Sequence, residues 1–112
     1  MADSKFNIKQ DDTRPYLRVN ITDQDGNVVD LTGGSVKFNM VSDDNDRTVK
    51  VNSSADIVTA TSGVAEYRWS SSDTDTAGKY LGEFQVTLSD GTVFSVPADD
   101  SLKVIIKKDY GD

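Results

Sequence analysis

Between positions 73 and 84 the chain reads D-T-D-T-A-G-K-Y-L-G-E-F, a polar turn rich in Asp and Thr that runs straight into a strand of alternating character. Such a junction marks the corner of a β-sandwich. Residues 64–69 (V-A-E-Y-R-W) form a second short alternating segment just before it, and Asp90-Gly91 closes a hairpin just after it. Asp and Thr hold turns through short oxygen-bearing side chains, and alternation with a period of two sets one face of a strand against a core. The pattern specifies a small all-β domain and shows no chemistry.

The same alternation recurs along the rest of the chain. Phe6 and Ile8 alternate with polar neighbours until D-D-T-R-P at 11–15 interrupts them. Pro15 has no N–H to give to a ladder, so it marks an edge or kink where the first strand changes partner. Leu17, Val19 and Ile21 share a face, and D-Q-D-G-N at 23–27 turns the chain with Gly26 at positive φ. Val36, Phe38 and Met40 share the face of the next strand, and S-D-D-N-D-R at 42–47 is a solvated loop. Residues 48–51 and 57–59 read as two short strands around Asn52-Ser53-Ser54. In 64–69, Ala65, Tyr67 and Trp69 face one way while Glu66 and Arg68 face solvent.

Residues 80–88 read as the longest strand, Ser89-Asp90-Gly91 turns it back, and Pro97 stops the strand at 92–96. Residues 98–101 lead to a last strand at 102–106. Its V-I-I run, apolar on both faces, calls for an interior position or a covered edge. Roughly eight strands with turn signals about every 8–12 residues indicate a sandwich or a barrel, and the corner at 73–80 favours an antiparallel β-sandwich over a closed barrel. The expectation is a single domain with its core over residues 5–106, a loose tail at 107–112, and no helix beyond a turn or two. Phe38, Ala65 or Tyr67, Trp69, Tyr80, Phe84 and Val86 are expected in the shared core.

Composition agrees with this and removes most chemistries. Glu66 and Glu83 are the only glutamates among 19 acidic residues, and the Asp that dominates belongs to turns rather than helices. Cysteine and histidine are both absent. Disulfides, thiolate metal sites and every nucleophile–histidine pair are therefore excluded. A carboxylate-only mechanism would need one acid held at raised pKa, whereas these acids lie in solvated turns. The chain is read as a non-enzyme without cofactor or metal.

A net charge of −7 argues against a nucleic-acid ligand, which clustered Lys and Arg would have to neutralise. The lone basic pair, Lys107-Lys108, reads as a solvated strand end. No apolar run approaches the ~20 residues that span a bilayer. The start, M-A-D-S-K-F-N-I-K, lacks a signal-peptide core, which predicts synthesis in a cytoplasm without a cleaved signal.

Three features carry a sharper alternative. Asp23-x-Asp25-Gly26-Asn27 looks like the start of a calcium loop, but its Gly comes too early and no Glu follows at the distance a bidentate ligand needs. Asp43-Asp44-Asn45-Asp46 reads as a solvated loop rather than a cation site between subunits. Trp69, Tyr67 and Tyr80 could form a sugar platform, yet they share strand faces with Ala65 and Phe84 and so read as core. Tyr16 and Tyr110 are the aromatics expected at the surface, where Tyr supplies contact area at low entropic cost.

Gly78-Lys79-Tyr80 resembles the Gly-x-Tyr of immunoglobulin-type tyrosine corners, whose phenol returns to an upstream backbone group. Thr76 stands where antibody domains carry Asp, and Gly82 where they carry the second cysteine. More of the chain then falls into order. F-N-I-K-Q at 6–10 with D-T-R-P-Y-L at 12–17, D-G-N-V-V-D-L-T-G at 25–33 with V-K-F-N-M at 36–40, Gly63-Val64, and Tyr67-Arg68-Trp69 come first. D-T-D-T-A-G-K-Y at 73–80 with Glu83-Phe84, and Asp90-Gly91 with Pro97, complete the series.

In this order the segments resemble the immunoglobulin-like N-terminal domain of phage baseplate upper proteins, scaffolds for receptor-binding proteins. The resemblance implies a virion component that binds other phage structural proteins, as a homo-oligomer or in multiple copies, without nucleic acid or membrane. In baseplate proteins this domain is followed by further segments, so the short chain is expected to be a stand-alone version that is not itself the receptor-binding arm. Trp69, Gly78, Tyr80 and Phe84 are its expected structural residues, and Phe6, Pro15 and Tyr16 its expected partner contacts. The alternative is a carbohydrate-binding adhesion module on the host envelope.

Overall fold

The computed structural model describes residues 5–23, 25–97 and 102–108. The chain runs through β1 (Lys5–Lys9), β2 (Leu17–Asn20), β3 (Ser35–Ser42), β4 (Val49–Thr59), β5 (Val64–Tyr67), β6 (Gly78–Thr87), β7 (Val93–Val96) and β8 (Leu102–Lys107). A 3₁₀ turn at Ala60–Ser62 is the only helical piece among the described residues. The larger sheet has the order β1-β8-β6-β3-β4, with β7 continuing beside β8 on the same edge of β6. The smaller sheet is β4-β5-β2. The result is an immunoglobulin-like sandwich whose two layers are joined by β4.

Two expectations about strands are corrected. β4 is one strand of 11 residues and the longest, where two short strands around Asn52-Ser53-Ser54 were expected. Its first part, through Ala55, pairs with β3, and from Asp56 it pairs with β5. Polar residues there do not break the strand because they lie exposed along a sheet edge. The other correction is that β1 pairs with β8 in parallel, while every other strand pair is antiparallel. Parallel pairing needs a long connection between its strands, and here the whole sandwich supplies it.

β8 lies between β1 and β6, which accounts for its apolar run. Trp69 falls just past the end of β5. The anticipated positions 98–101 and 109–112, with Tyr110, lie outside the described residues.

The core gathers the inward sides of these strands. Val36, Phe38 and Met40 from β3, Tyr80, Phe84 and Val86 from β6, and Val104 and Ile106 from β8 are all buried. Ala65, Tyr67 and Trp69 cover them from the other layer. Phe38 is central, with ring centroids of Tyr67, Phe84 and Trp69 at 4.8, 5.0 and 5.7 Å. Gly82 makes this possible, because a Cβ there would sit 3.0 Å from the Phe38 ring.

Candidate interaction surfaces

The corner at residues 73–80 is built as a set of tethers at one end of the sandwich. The Tyr67 hydroxyl donates to Asp73 Oδ2 at 2.6 Å, and the Ser70 amide donates to the same oxygen at 2.9 Å. Burial, reinforced by the Asp73 carboxylate, pushes the Tyr67 phenol well above its ordinary pKa. The wholly buried Thr74 donates its hydroxyl to the Asp12 carbonyl at 2.8 Å, and the Asp11 amide donates to the Thr74 carbonyl at 2.9 Å. Gln10 Nε2 donates to the Asp75 carbonyl, while the Asp75 carboxylate accepts from Lys50 and from the Thr76 hydroxyl. Those last two bonds hold the Asp75 carboxyl below the usual carboxylate range.

The buried Tyr80 donates its hydroxyl to the Thr76 carbonyl at 2.8 Å, four residues upstream. Gly78 has φ +154, a backbone region where a side chain is strained. A Cβ at Gly78 would lie 3.8 Å from the Tyr80 ring, so strain rather than crowding favours glycine. Phe84 is buried beside Phe38.

The three expected partner contacts have different surroundings. Phe6 is half-buried and stacks on Trp69 at 5.7 Å, which commits it to the core. Pro15 is exposed. Tyr16, half-buried beside it, is flanked by the guanidinium groups of Arg14 at 5.4 Å and Arg68 at 5.2 Å from its ring centroid. Such cation–π contacts fix the ring without hiding it completely.

Arg68 also belongs to a network that the sequence did not reveal. Arg18 and Arg68 both donate to Glu66 at 3.0 Å, and Arg68 lies 3.4 Å from Asp56. Arg18, Glu66 and Asp56 are register partners across β2, β5 and β4. Glu66, expected in solvent, is instead only 3% exposed, because the two arginine side chains lie over it. Hydrogen bonds from Arg18 and Arg68 hold its carboxyl below the usual range. The cue was Arg18 and Glu66 both on polar strand faces, but only pairing of β2 with β5 unites them.

The Asp-rich loops use their carboxylates locally. Asp23 Oδ1 accepts the amides of Asp25 and Asn27, and Asp44 Oδ1 accepts those of Asp46 and Arg47. Among the described residues no group of acidic side chains is arranged to hold a metal ion. Several strand edges are open among the described residues. β1 pairs only with β8, β2 only with β5, and each part of β4 pairs on one side only. Val49 and Val58 on β4 are 63% and 44% exposed.

A search of curated proteins finds no match. A family model described as the BppU N-terminal domain, the N-terminal domain of baseplate upper protein, matches residues 2–110. Together with the all-β sandwich and its ordered segments, that match places the chain in the BppU N-terminal domain family of phage baseplate structural domains.

Proposed function

We propose that the chain is a non-enzymatic assembly module that binds other virion proteins, in the tail or baseplate or else the neck or capsid. It is made in the host cytoplasm and takes its place in the particle in several copies. Membership in a baseplate-domain family carries this reading. The open edges of β1, β2 and β4 support it, since a neighbouring sheet can extend or abut them. Pro15 and Tyr16 supply the side-chain contact, and Phe6 acts indirectly by anchoring β1 to Trp69. Net charge of −7 limits premature aggregation. No cofactor, nucleic acid or membrane takes part.

The adhesion alternative gains no support from the rings it would use, because Trp69, Tyr67 and Tyr80 are buried. Mass spectrometry of purified particles, together with pull-down of co-expressed baseplate proteins, tests the assembly reading. Tyr16→Ala is expected to lower capture at least about tenfold while the variant still folds, as for an interface aromatic. Absence from particles, hydrolysis of a substrate, or binding in a glycan screen overturns it.

A further inference from the structure

Six lysines of this acidic chain, Lys5, Lys9, Lys37, Lys79, Lys103 and Lys107, stand on one surface. On the outer face of the larger sheet, Lys5 stands opposite Lys103, and Lys9 opposite Lys107. Lys79 pairs with Ile105, and Lys37 with Gln85. Half-buried apolar residues form a strip among them, with Val41 paired with Leu81 and Ile105 diagonal to Leu81 across β8. Glu83 is the one acid that the strands place on this face among the described residues, and Asp43 lies at its rim beside Lys79. The strip is a shallow depression bordered by Arg47 at one side.

At the sandwich end away from the Asp73 corner, acidic side chains stand without lysine or arginine beside them. There the β2–β3 connection carries Asp23, Asp25 and Asp30, and the β6–β7 turn carries Asp90. Hydrogen bonds tie these segments to one end, with the Val29 amide on the Ile21 carbonyl, the Leu31 amide on Ala60 and the Ile21 amide on Gly63. A Cβ at Gly33 would lie 3.1 Å from Ser89, which brings in the β6–β7 turn. No described residue in 20–34, 59–64 or 87–92 is Lys or Arg. Asp23, Asp30 and Asp90 each accept backbone amides, so their carboxylates are held in place. Val28, on the same end, is 59% exposed.

We infer that the lysine-bearing face of the larger sheet docks the Asp-rich end of a second copy of this chain. The two patches match in charge and each has an apolar element, and because they are different surfaces the contact is head-to-tail. Such a contact closes into a ring or continues as a filament. A nucleic acid is the poorer occupant. Net charge is −7, and among the described residues no aromatic stacking platform stands beside these lysines. The inference rests on the multi-copy reading above, but it is tested on the isolated chain, so particle incorporation and self-association can fail separately.

Sedimentation velocity of the full chain at low salt is expected to show concentration-dependent association. At about 0.5 M salt, where screening acts within roughly 5 Å, it should disappear. The face variant Lys79→Glu/Lys103→Glu and the end variant Asp25→Lys/Val28→Lys should each associate at least about tenfold more weakly, since each removes most of the charge complementarity between the two patches. An equimolar mixture of the two should associate again, because the intact lysine face of the end variant meets the intact Asp-rich end of the face variant. Melting curves establish that both variants fold, and Lys79→Gln/Lys103→Gln replaces the face variant if it does not. A parent chain that stays monomeric up to about 1 mM overturns the proposal. Association that neither variant changes, a mixture that does not recover, or a short duplex DNA bound by the lysine face overturns it as well.

Discussion

Two tyrosines at the same corner make different hydrogen bonds, and their substitutions should separate. Tyr80→Phe removes a donor from the Thr76 carbonyl, which water can reach in its place, and should cost about 1 kcal/mol. Tyr67→Phe removes the phenol from the carboxylate of a nearly buried Asp73 and should cost more, about 2–3 kcal/mol. Denaturant melts of both variants give the order, and equal losses contradict this account. Trp69 offers a second comparison at this scale. Its Nε1 is buried without a partner among the described residues, so the indole contributes through packing and ring contacts rather than a hydrogen bond. Trp69→Ala should cost roughly 3–5 kcal/mol and Trp69→Phe clearly less.

β1 illustrates how much one element holds in place. Its inward side sets Phe6 on Trp69 and buries Ile8, and its ladder covers the outer edge of β8. Removing residues 1–9 should therefore lower stability by about 3–5 kcal/mol, from the lost burial of two large side chains. The truncated chain should also aggregate, because an apolar strand is then left as an edge. Melting and light scattering measure the two effects, and a truncated chain that melts like its parent would show β1 to be dispensable. β4 manages its open sides differently, with a polar run through Asn52-Ser53-Ser54.

Charge governs behaviour at the scale of the whole molecule. Glu66, Asp30, Asp44, Asp75 and Asp90 all have carboxyl pKa values lowered by hydrogen bonds, with arginine, lysine or hydroxyl partners. A lowered folded value means that the unfolded chain binds the proton more readily. Their stabilisation is then complete above roughly pH 4–5 and is lost as the pH falls through the lowered values. Tyr67 acts in the other direction, since its raised value makes its contribution complete below about pH 10 and lost above it. Melting temperature should thus be flat between these limits and fall on both sides, and loss of stability near neutral pH would contradict the assignment.

Most strand positions, the inward face of each strand, the corner at 73–80 and the family were legible in the sequence. Each rests on periodicity, turn chemistry or ordered motifs, which neighbouring residues encode together. Val36, Phe38 and Met40 share a face whatever strand lies beside them. Tertiary structure alone decided which strands became neighbours. It set β1 parallel to β8, carried β4 through Asn52-Ser53-Ser54 as one strand, and buried Glu66 under Arg18 from 48 residues away. It also gathered lysines scattered from Lys5 to Lys107 onto one face. The physical reason is that a strand's own residues fix its two faces, while the partner on its edge is selected by the packing of the whole sandwich.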